Sequence, residues 1–294
     1  MQFLCIWKLF KLRSLMKTID YFRGKSVLIT GGSSGIGFAI ANALVEMDAV
    51  VILLARDYEK LKAAKACILE KYPKAKVKLV SADVTDAQTL TVLNEKYVRN
   101  HDTPDVLINC AGVARPGYVE ETPLDVYKWT MDIDYHGTVN MIKVLLPGMI
   151  ERGSGHIVNF SSMAGVIGVF GYTAYSGAKF AIKGFTDALR TELKPKGIKV
   201  SIVYPPDTDT PQLAWEDQYK PFETRELAGS DKPIPPSLVA DETLKAVARG
   251  RYKVVPGFNA KLTYFAATRL GGWMNPIMDL LVSQASKKKA RLGK

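Results

Sequence analysis

With 294 residues, 47% of them apolar and 23% charged, the chain has room for one large α/β domain and the balance of a globular protein, which excludes a disordered or fibrous one. Cys5, Cys67 and Cys110 are too few and too scattered for a disulfide framework, and His101, His136 and His156 add no metal-ligand spacing, so a reducing compartment and no metal are expected. Forty Lys plus Arg against 29 Asp plus Glu leave a net charge of +11, and because the basic residues at both chain ends are interleaved with apolar ones, a lipid surface is favoured over nucleic acid as the anionic partner.

Residues 1–23 set Phe3, Leu4, Ile6, Trp7, Leu9 and Phe10 among Lys8, Lys11, Arg13 and Lys17. The uncharged run ends at Lys8, short of the roughly 20 apolar residues that span a bilayer, and no small-residue cleavage site follows. A segment lying on a membrane surface is expected. Packing of its apolar face on its own domain or on a partner subunit is the alternative.

From residue 24 to 256 the pattern alternates strand and helix. Strands are expected near 25–30, 50–55, 76–81, 105–109, 157–160, 200–204 and 253–255, with helices between them. Runs such as Val50-Val51-Ile52-Leu53-Leu54 are apolar throughout, as strands must be when helices cover both faces of a parallel sheet. The fold class is therefore α/β, a Rossmann-type doubly wound parallel sheet of seven strands with amphipathic terminal segments. The stretch between Arg152 and Lys179 has no charge, yet its Asn159, Ser161 and Ser162 suit a buried strand and an active-site loop rather than a membrane span. Residues 205–236 are rich in Pro, Asp and Thr and are expected to form a substrate loop. Residues 257–294 mix Leu262, Phe265, Trp273 and Leu280 with a basic end, Lys287-Lys288-Lys289, which suits a surface-lying segment.

Three groups of residues carry chemistry. Gly31, Ser33, Ser34, Gly35, Ile36 and Gly37 join the first strand to the first helix of the repeat, where glycines let the backbone approach a pyrophosphate and the helix N-terminus offers it free N–H groups. The second strand ends without an acidic residue for a ribose 2′-hydroxyl; Arg56 stands there instead and suits the 2′-phosphate of NADPH, although it could be a solvated helix-start residue beside an Asp57 cap. Tyr175 and Lys179 share one face of a helix, so the ammonium is expected to lower the phenol's pKa and make Tyr175 a proton donor near neutrality. Ser162, just past a strand, can donate to the oxygen that gains charge as hydride reaches a carbonyl carbon.

The glycine turn, Asp83 after the third strand, Asn109-Cys110-Ala111-Gly112 after the fourth, then Ser162, Tyr175 and Lys179 occur together in order, and in these residues the chain resembles the short-chain dehydrogenase/reductase family over about residues 24–255. The resemblance implies that Asp83 meets the adenine, that Asn109 and Gly112 line the cofactor cleft, and that Lys179 and Tyr175 contact the nicotinamide ribose. It likewise implies cofactor contacts from Val84, Ala111, Pro205 and Thr210. On residues alone, the alternative for Asp83 is a turn cap and for Asn109 a strand-end hydrogen bond. The family's supporting Asn in the long helix before the catalytic strand is here Asp134, read as a member of the proton relay. Family habit further implies a homo-oligomer through the long helices after the fourth and fifth strands.

Where the family usually has Pro-Gly after the sixth strand, this chain has Pro205-Pro206-Asp207-Thr208-Asp209-Thr210-Pro211. That segment, with Lys220 to Arg225, resembles the loop of the family's 3-ketodihydrosphingosine reductases. The resemblance implies a long-chain lipid ketone substrate, NADPH as cofactor, and peripheral or monotopic attachment to the cytosolic face of a membrane. Asp207 or Asp209 is then a candidate for the substrate's ammonium, unless Asp209 or Thr210 merely caps a helix starting at Pro211. A reductase of a steroid, retinoid or 3-oxoacyl thioester is the alternative, and a silent NADPH-binding protein a more distant one.

Overall fold

The computed structural model describes residues 15–100, 102–229 and 232–293. Most of the basic amphipathic N-terminal segment, with Cys5, and the single residue His101 therefore lie outside the described residues.

Seven strands, β1 (Ser26–Thr30), β2 (Val50–Ala55), β3 (Lys76–Ser81), β4 (Val106–Asn109), β5 (Gly155–Phe160), β6 (Ile198–Val203) and β7 (Lys253–Val254), form one sheet in the order 3-2-1-4-5-6-7. Every neighbouring pair is parallel. The expected strands and the doubly wound parallel sheet are thus observed. Crossovers are helical because parallel neighbours need a long return. The helices are α1 (residues 15–22), which precedes β1, and then α2 (Gly35–Val45), α3 (Tyr58–Lys71), α4 (Ala87–Asn94), α5 (Leu124–Thr130), α6 (Gly137–Arg152) and α7 (Thr173–Leu193). Then follow α8 (Pro211–Glu216), α9 (Phe222–Ala228), α10 (Pro236–Ala248), α11 (Phe258–Leu270) and α12 (Met274–Arg291).

Both sheet faces are sealed by apolar side chains. Val27, Ile29, Val51 and Leu53 pack with Ile40, Leu44 and Val247 on one face. On the other, Leu28, Ile52 and Leu107 pack with Met141, Leu145 and Leu189. Alternate residues of one strand therefore feed opposite cores, which explains why the strands read as unbroken apolar runs. Helix ends are closed locally: Asp57 caps α3 through Lys60 N–H, Asp86 caps α4 through Gln88 and Thr89, and Gly153 ends α6 at φ +66°.

Two features place the site. Strand order reverses between β1 and β4, and ligands of open parallel sheets settle in the crevice at the carboxyl end of such a point. Between α5 and α6 the helix opens into a wider π-type turn over Met131–His136, which aims Asp134 inward.

The terminal segments are helical where described. Thr18 and Phe22 of α1 are buried, and the Tyr21 hydroxyl meets His156 Nδ1 at 2.9 Å, so this part of the N-terminal segment packs on its own domain. The C-terminal segment forms α11 and α12 and leaves Phe258, Leu262, Phe265, Trp273 and Leu280 exposed. Among the described residues, no helix is long and apolar enough to cross a membrane.

Candidate active site

The crevice begins at the Thr30 side chain. Its hydroxyl accepts from both Cys110 N–H and Ala111 N–H at 3.0 Å, tying the ends of β1 and β4 together as they part. The glycine turn sits directly above. Gly31 has φ +67°, and a Cβ there would come within 3.0 Å of the Ala111 backbone, so a side chain is excluded both by conformation and by space. At the start of α2, Ser34 makes no side-chain cap, which leaves the helix N-terminus facing the cleft with free N–H groups. A dinucleotide's pyrophosphate fits this cradle.

Along the cleft wall stand Ser33, Gly35, Ile36, Gly37, Arg56, Asp83 and Val84, and further on Ala111, Gly112, Pro205 and Thr210. Arg56 lines the cleft with a largely exposed guanidinium 3.9 Å from Asp83 Oδ2, while Asp57 caps α3. Lys60, one turn into α3, lines the same wall and adds a second cation. Asp83 caps its own turn, with Oδ1 accepting from Thr85 N–H at 2.9 Å and Thr85 Oγ1 at 2.8 Å, and the residue stands on the cleft wall. Thr210 caps α8 through Leu213 N–H at 3.3 Å, with Pro211 as the first helical residue.

Asn109 departs from its expected place. Its side chain is 2% exposed and turns into the core, where Nδ2 donates to Asn159 Oδ1 at 2.9 Å. Asn159 in turn donates to Thr186 Oγ1 at 3.0 Å. It therefore braces β4, β5 and α7 behind the cleft rather than lining it, because the alternation of β4 points residue 109 to that side. Asp209 also lies off the cleft wall, whereas the exposed Asp207 is on it.

At the floor, Ser162, Tyr175 and Lys179 come together. Ser162 Oγ accepts from Ala164 N–H at 3.1 Å, a short turn that fixes the serine at the end of β5. It also stands close enough to the Tyr175 phenol to favour the phenol's ionised form. Lys179 lies over the Tyr175 ring at 5.2 Å, donates to Phe160 O at 3.3 Å, and forms a 3.0 Å ion pair with Asp134 Oδ2. Asp134 Oδ1 accepts from Val113 N–H at 2.7 Å. Asp134 thus stands behind Lys179, away from the cleft wall.

The electrostatics differ from the expectation for Tyr175. Lys179 does pull the phenol down, as does Ser162, but desolvation dominates and Asp134 and Glu216 add to it, so the phenol is pushed up to about 12. Burial works against the Lys179 ammonium, yet Asp134 and Tyr175 outweigh it and hold the ammonium above its ordinary value. Burial pushes the Asp134 carboxyl up against the pull of Lys179.

Residues not singled out from sequence complete the site. Tyr172 and Glu216 are buried cleft residues, with Glu216 Oε2 accepting from Tyr172 Oη at 2.8 Å. The Gln212/Glu216 spacing of four on α8 was the available signal, masked by the shortness of that helix.

The comparisons agree with this geometry. The short chain dehydrogenase profile matches residues 25–219. The chain is 40% identical over 234 residues to a "3-dehydrosphinganine reductase" of Danio rerio, covering 78% of this chain and 70% of the relative. It is 34% identical over 278 residues to a "3-ketodihydrosphingosine reductase" of Dictyostelium discoideum, covering 89% and 83%. Among solved structures, ElxO with NADP bound superposes with a TM-score of 0.69 at 26% identity, covering 81% of this chain and 99% of that one. The chain belongs to the short-chain dehydrogenase/reductase family. It is accordingly an oxidoreductase with a dinucleotide cleft of the NAD(P)-binding kind.

Proposed function

We propose that the protein reduces 3-ketodihydrosphingosine to dihydrosphingosine with NADPH, working on a substrate drawn from the cytosolic face of a membrane. The observation that carries the reading is the cleft itself: Ser162, Tyr175 and Lys179 lie at its floor and α8 closes it with Glu216 and Gln212, in a chain 40% identical to a relative of that name.

The cofactor supplies hydride when bound. The Ser162 hydroxyl, with a lone pair already filled by Ala164 N–H, donates to the substrate's carbonyl oxygen. Tyr175 then gives that oxygen its proton. A phenol held at about 12 keeps its proton at neutral pH, and an alkoxide is a stronger base than a phenolate, so the transfer runs downhill. Lys179 stabilises the phenolate left behind, and Asp134 holds Lys179 in place. NADPH is favoured over NADH by Arg56 and Lys60 on the wall where the adenosine ribose would lie, and by Ala55 standing at the tip of β2 in place of an acid.

Attachment to the membrane is assigned to the C-terminal helices, whose exposed Phe258, Trp273 and Leu280 lie among Lys261, Arg269 and Lys287. Pairing of two copies through α6 and α7 belongs to the same reading, with Phe180 left exposed on α7.

The test is to follow NADPH absorbance over detergent-dispersed 3-ketodihydrosphingosine, with Tyr175→Phe as control. Dihydrosphingosine formed by the wild type and not by the control is expected. Inertness toward this ketone, with Tyr175-dependent reduction of a steroid or acyl thioester, would replace the substrate and keep the chemistry.

A further inference from the structure

One buried carboxylate in the cleft serves neither the proton relay nor the cofactor cradle. Glu216, the last residue of α8, is 6% exposed and lines the cleft that contains Tyr175. Its Oε2 accepts from Tyr172 Oη at 2.8 Å and its Oε1 from Gln212 Nε2 at 2.9 Å. A carboxylate has about four acceptor positions, two on each oxygen, so each oxygen keeps one open. Among the described residues no cation comes within 4.0 Å of it; Lys220, on the turn that follows, is engaged with Asp217 at 2.6 Å. A carboxylate withdrawn from water with only neutral partners is costly unless a cation reaches it. Burial accordingly pushes the Glu216 carboxyl above its ordinary range, against the pull of Gln212, Tyr172 and Lys220.

Its position relative to the chemistry is specific. The Tyr172 ring that donates to Glu216 packs 5.9 Å from the Tyr175 ring, centroid to centroid. Glu216 is thus separated from the proton donor by one aromatic side chain. The exposed Asp207 stands on the same wall and adds negative charge near Glu216 and Tyr172.

We propose that Glu216, oriented by Tyr172 and Gln212, receives a primary ammonium carried by the substrate on the carbon next to its ketone. The assignment rests on the preceding reading that the substrate is a 2-amino ketone, and it puts the buried Glu216 in place of the exposed Asp207 and Asp209, the second of which lies off the cleft wall. An ammonium has three donors; two of them reach the open acceptor positions of Glu216 and close the charge of the pocket. Because one bond separates the amine-bearing carbon from the carbonyl carbon, fixing the ammonium at Glu216 fixes the carbonyl oxygen toward Ser162 and Tyr175. A ketone without the amine leaves the carboxylate unmatched and the carbonyl unregistered.

The test compares kcat/KM for 3-ketodihydrosphingosine and for its analogue with hydrogen in place of the amine, in the wild type and in Glu216→Gln, at saturating NADPH. The wild type is expected to favour the amino ketone, and the ratio between the two substrates is expected to fall about 100-fold in Glu216→Gln, the scale of a lost charge-assisted pair. An unchanged ratio, even with both rates lowered, would overturn the Glu216 assignment and leave the substrate reading intact. A wild type that reduces neither ketone but reduces another carbonyl compound would overturn the substrate reading and the assignment with it. Should Glu216→Gln fail to fold, competition in the wild type decides: a long-chain primary amine is expected to inhibit at least tenfold more tightly than the matching alcohol, and equal inhibition would overturn the assignment.

Discussion

Asp134 Oδ2 stands 3.0 Å from Lys179 Nζ, with both side chains shut off from solvent. The lysine that should acidify Tyr175 is therefore partly neutralised from behind, and Asp134 itself acts to raise the phenol. On the proposed reading, a phenol that keeps its proton suits donation, the direction ketone reduction needs.

Replacing Asp134 with Asn, the residue the family more often carries, removes that upward push and leaves the pull of Lys179 opposed only by desolvation and Glu216. The phenol's pKa should fall. Oxidation of the alcohol product requires phenolate, so its rate rises with pH until the phenol is ionised, and a lower pKa moves that rise to lower pH. A displacement on the order of one unit is expected for loss of one buried charge. The pH–rate profile of the reverse reaction in Asp134→Asn measures it, and a profile that stays put or moves upward would mean that Asp134 does not tune the phenol.

Arg56 and Lys60 make a second, separable prediction. Both are exposed, so each is worth only a modest charge-assisted contact to a 2′-phosphate. Arg56→Ala should weaken NADPH binding about tenfold and leave NADH binding where it was, as read by quenching of intrinsic fluorescence. Equal weakening of both cofactors would instead assign Arg56 to the adenine or to the fold.

Much of this was legible in the residues, and what was not has definite physical causes. Strands such as Val50–Ala55 announced themselves because both faces are buried, and Gly31 because no other residue fits its φ and its contact with Ala111. Tyr175 and Lys179 were readable as one helix face from their spacing of four, and Ser162 joined them through the order of motifs shared with the family. The inward turn of Asn109 depended on the pleat of β4, one residue either way, which composition does not reveal. Glu216 was hidden because its meaning depends on burial, and a six-residue helix gives no periodicity from which burial can be read. The phenol's pKa failed in sign for a related reason: the cation four residues away was visible, while the desolvation that outweighs it arises from the whole cleft.

His156 gives a prediction about stability. It is 1% exposed, bonded through Nδ1 to Tyr21 Oη at 2.9 Å and through Nε2 to Ser201 Oγ at 2.8 Å. Burial, with help from Lys199 and Lys25, lowers its pKa to about 3 from the ordinary value of 6.5. The folded imidazole therefore refuses a proton that the unfolded one accepts, so its stability contribution is complete above pH 6.5 and is lost as pH falls toward 3. At about 1.4 kcal/mol per unit, going from pH 7.5 to 5 withdraws on the order of 2 kcal/mol. Urea unfolding at the two pH values should show that loss in the wild type, and His156→Gln should show a smaller difference between them whatever its absolute stability. An identical pH difference in the variant would clear His156 of the effect.

The C-terminal helices connect the lipid reading to the site. Lys288 pairs with Glu226 at 2.5 Å, and Lys289 donates to Tyr118 Oη at 2.6 Å while Tyr118 donates to Glu223 at 2.6 Å. α12 is thereby fastened to α9, within the loop that follows the cleft-closing α8, and leaves Trp273, Ile277 and Leu280 exposed. Replacing Phe258, Trp273 and Leu280 together by Ser removes three of the exposed apolar groups without touching those ties. Each group could gain up to about 2 kcal/mol on entering the interface, and partial insertion of all three puts the expected loss of affinity for anionic vesicles at about 100-fold. Sedimentation with vesicles of anionic and of zwitterionic lipid measures it, and raising salt should weaken the wild type on the anionic set because Lys261, Arg269 and Lys287 contribute by charge. A variant that sediments like the wild type would move the membrane contact away from α11 and α12, and would leave their exposed aromatic residues to be explained by contact with another protein surface.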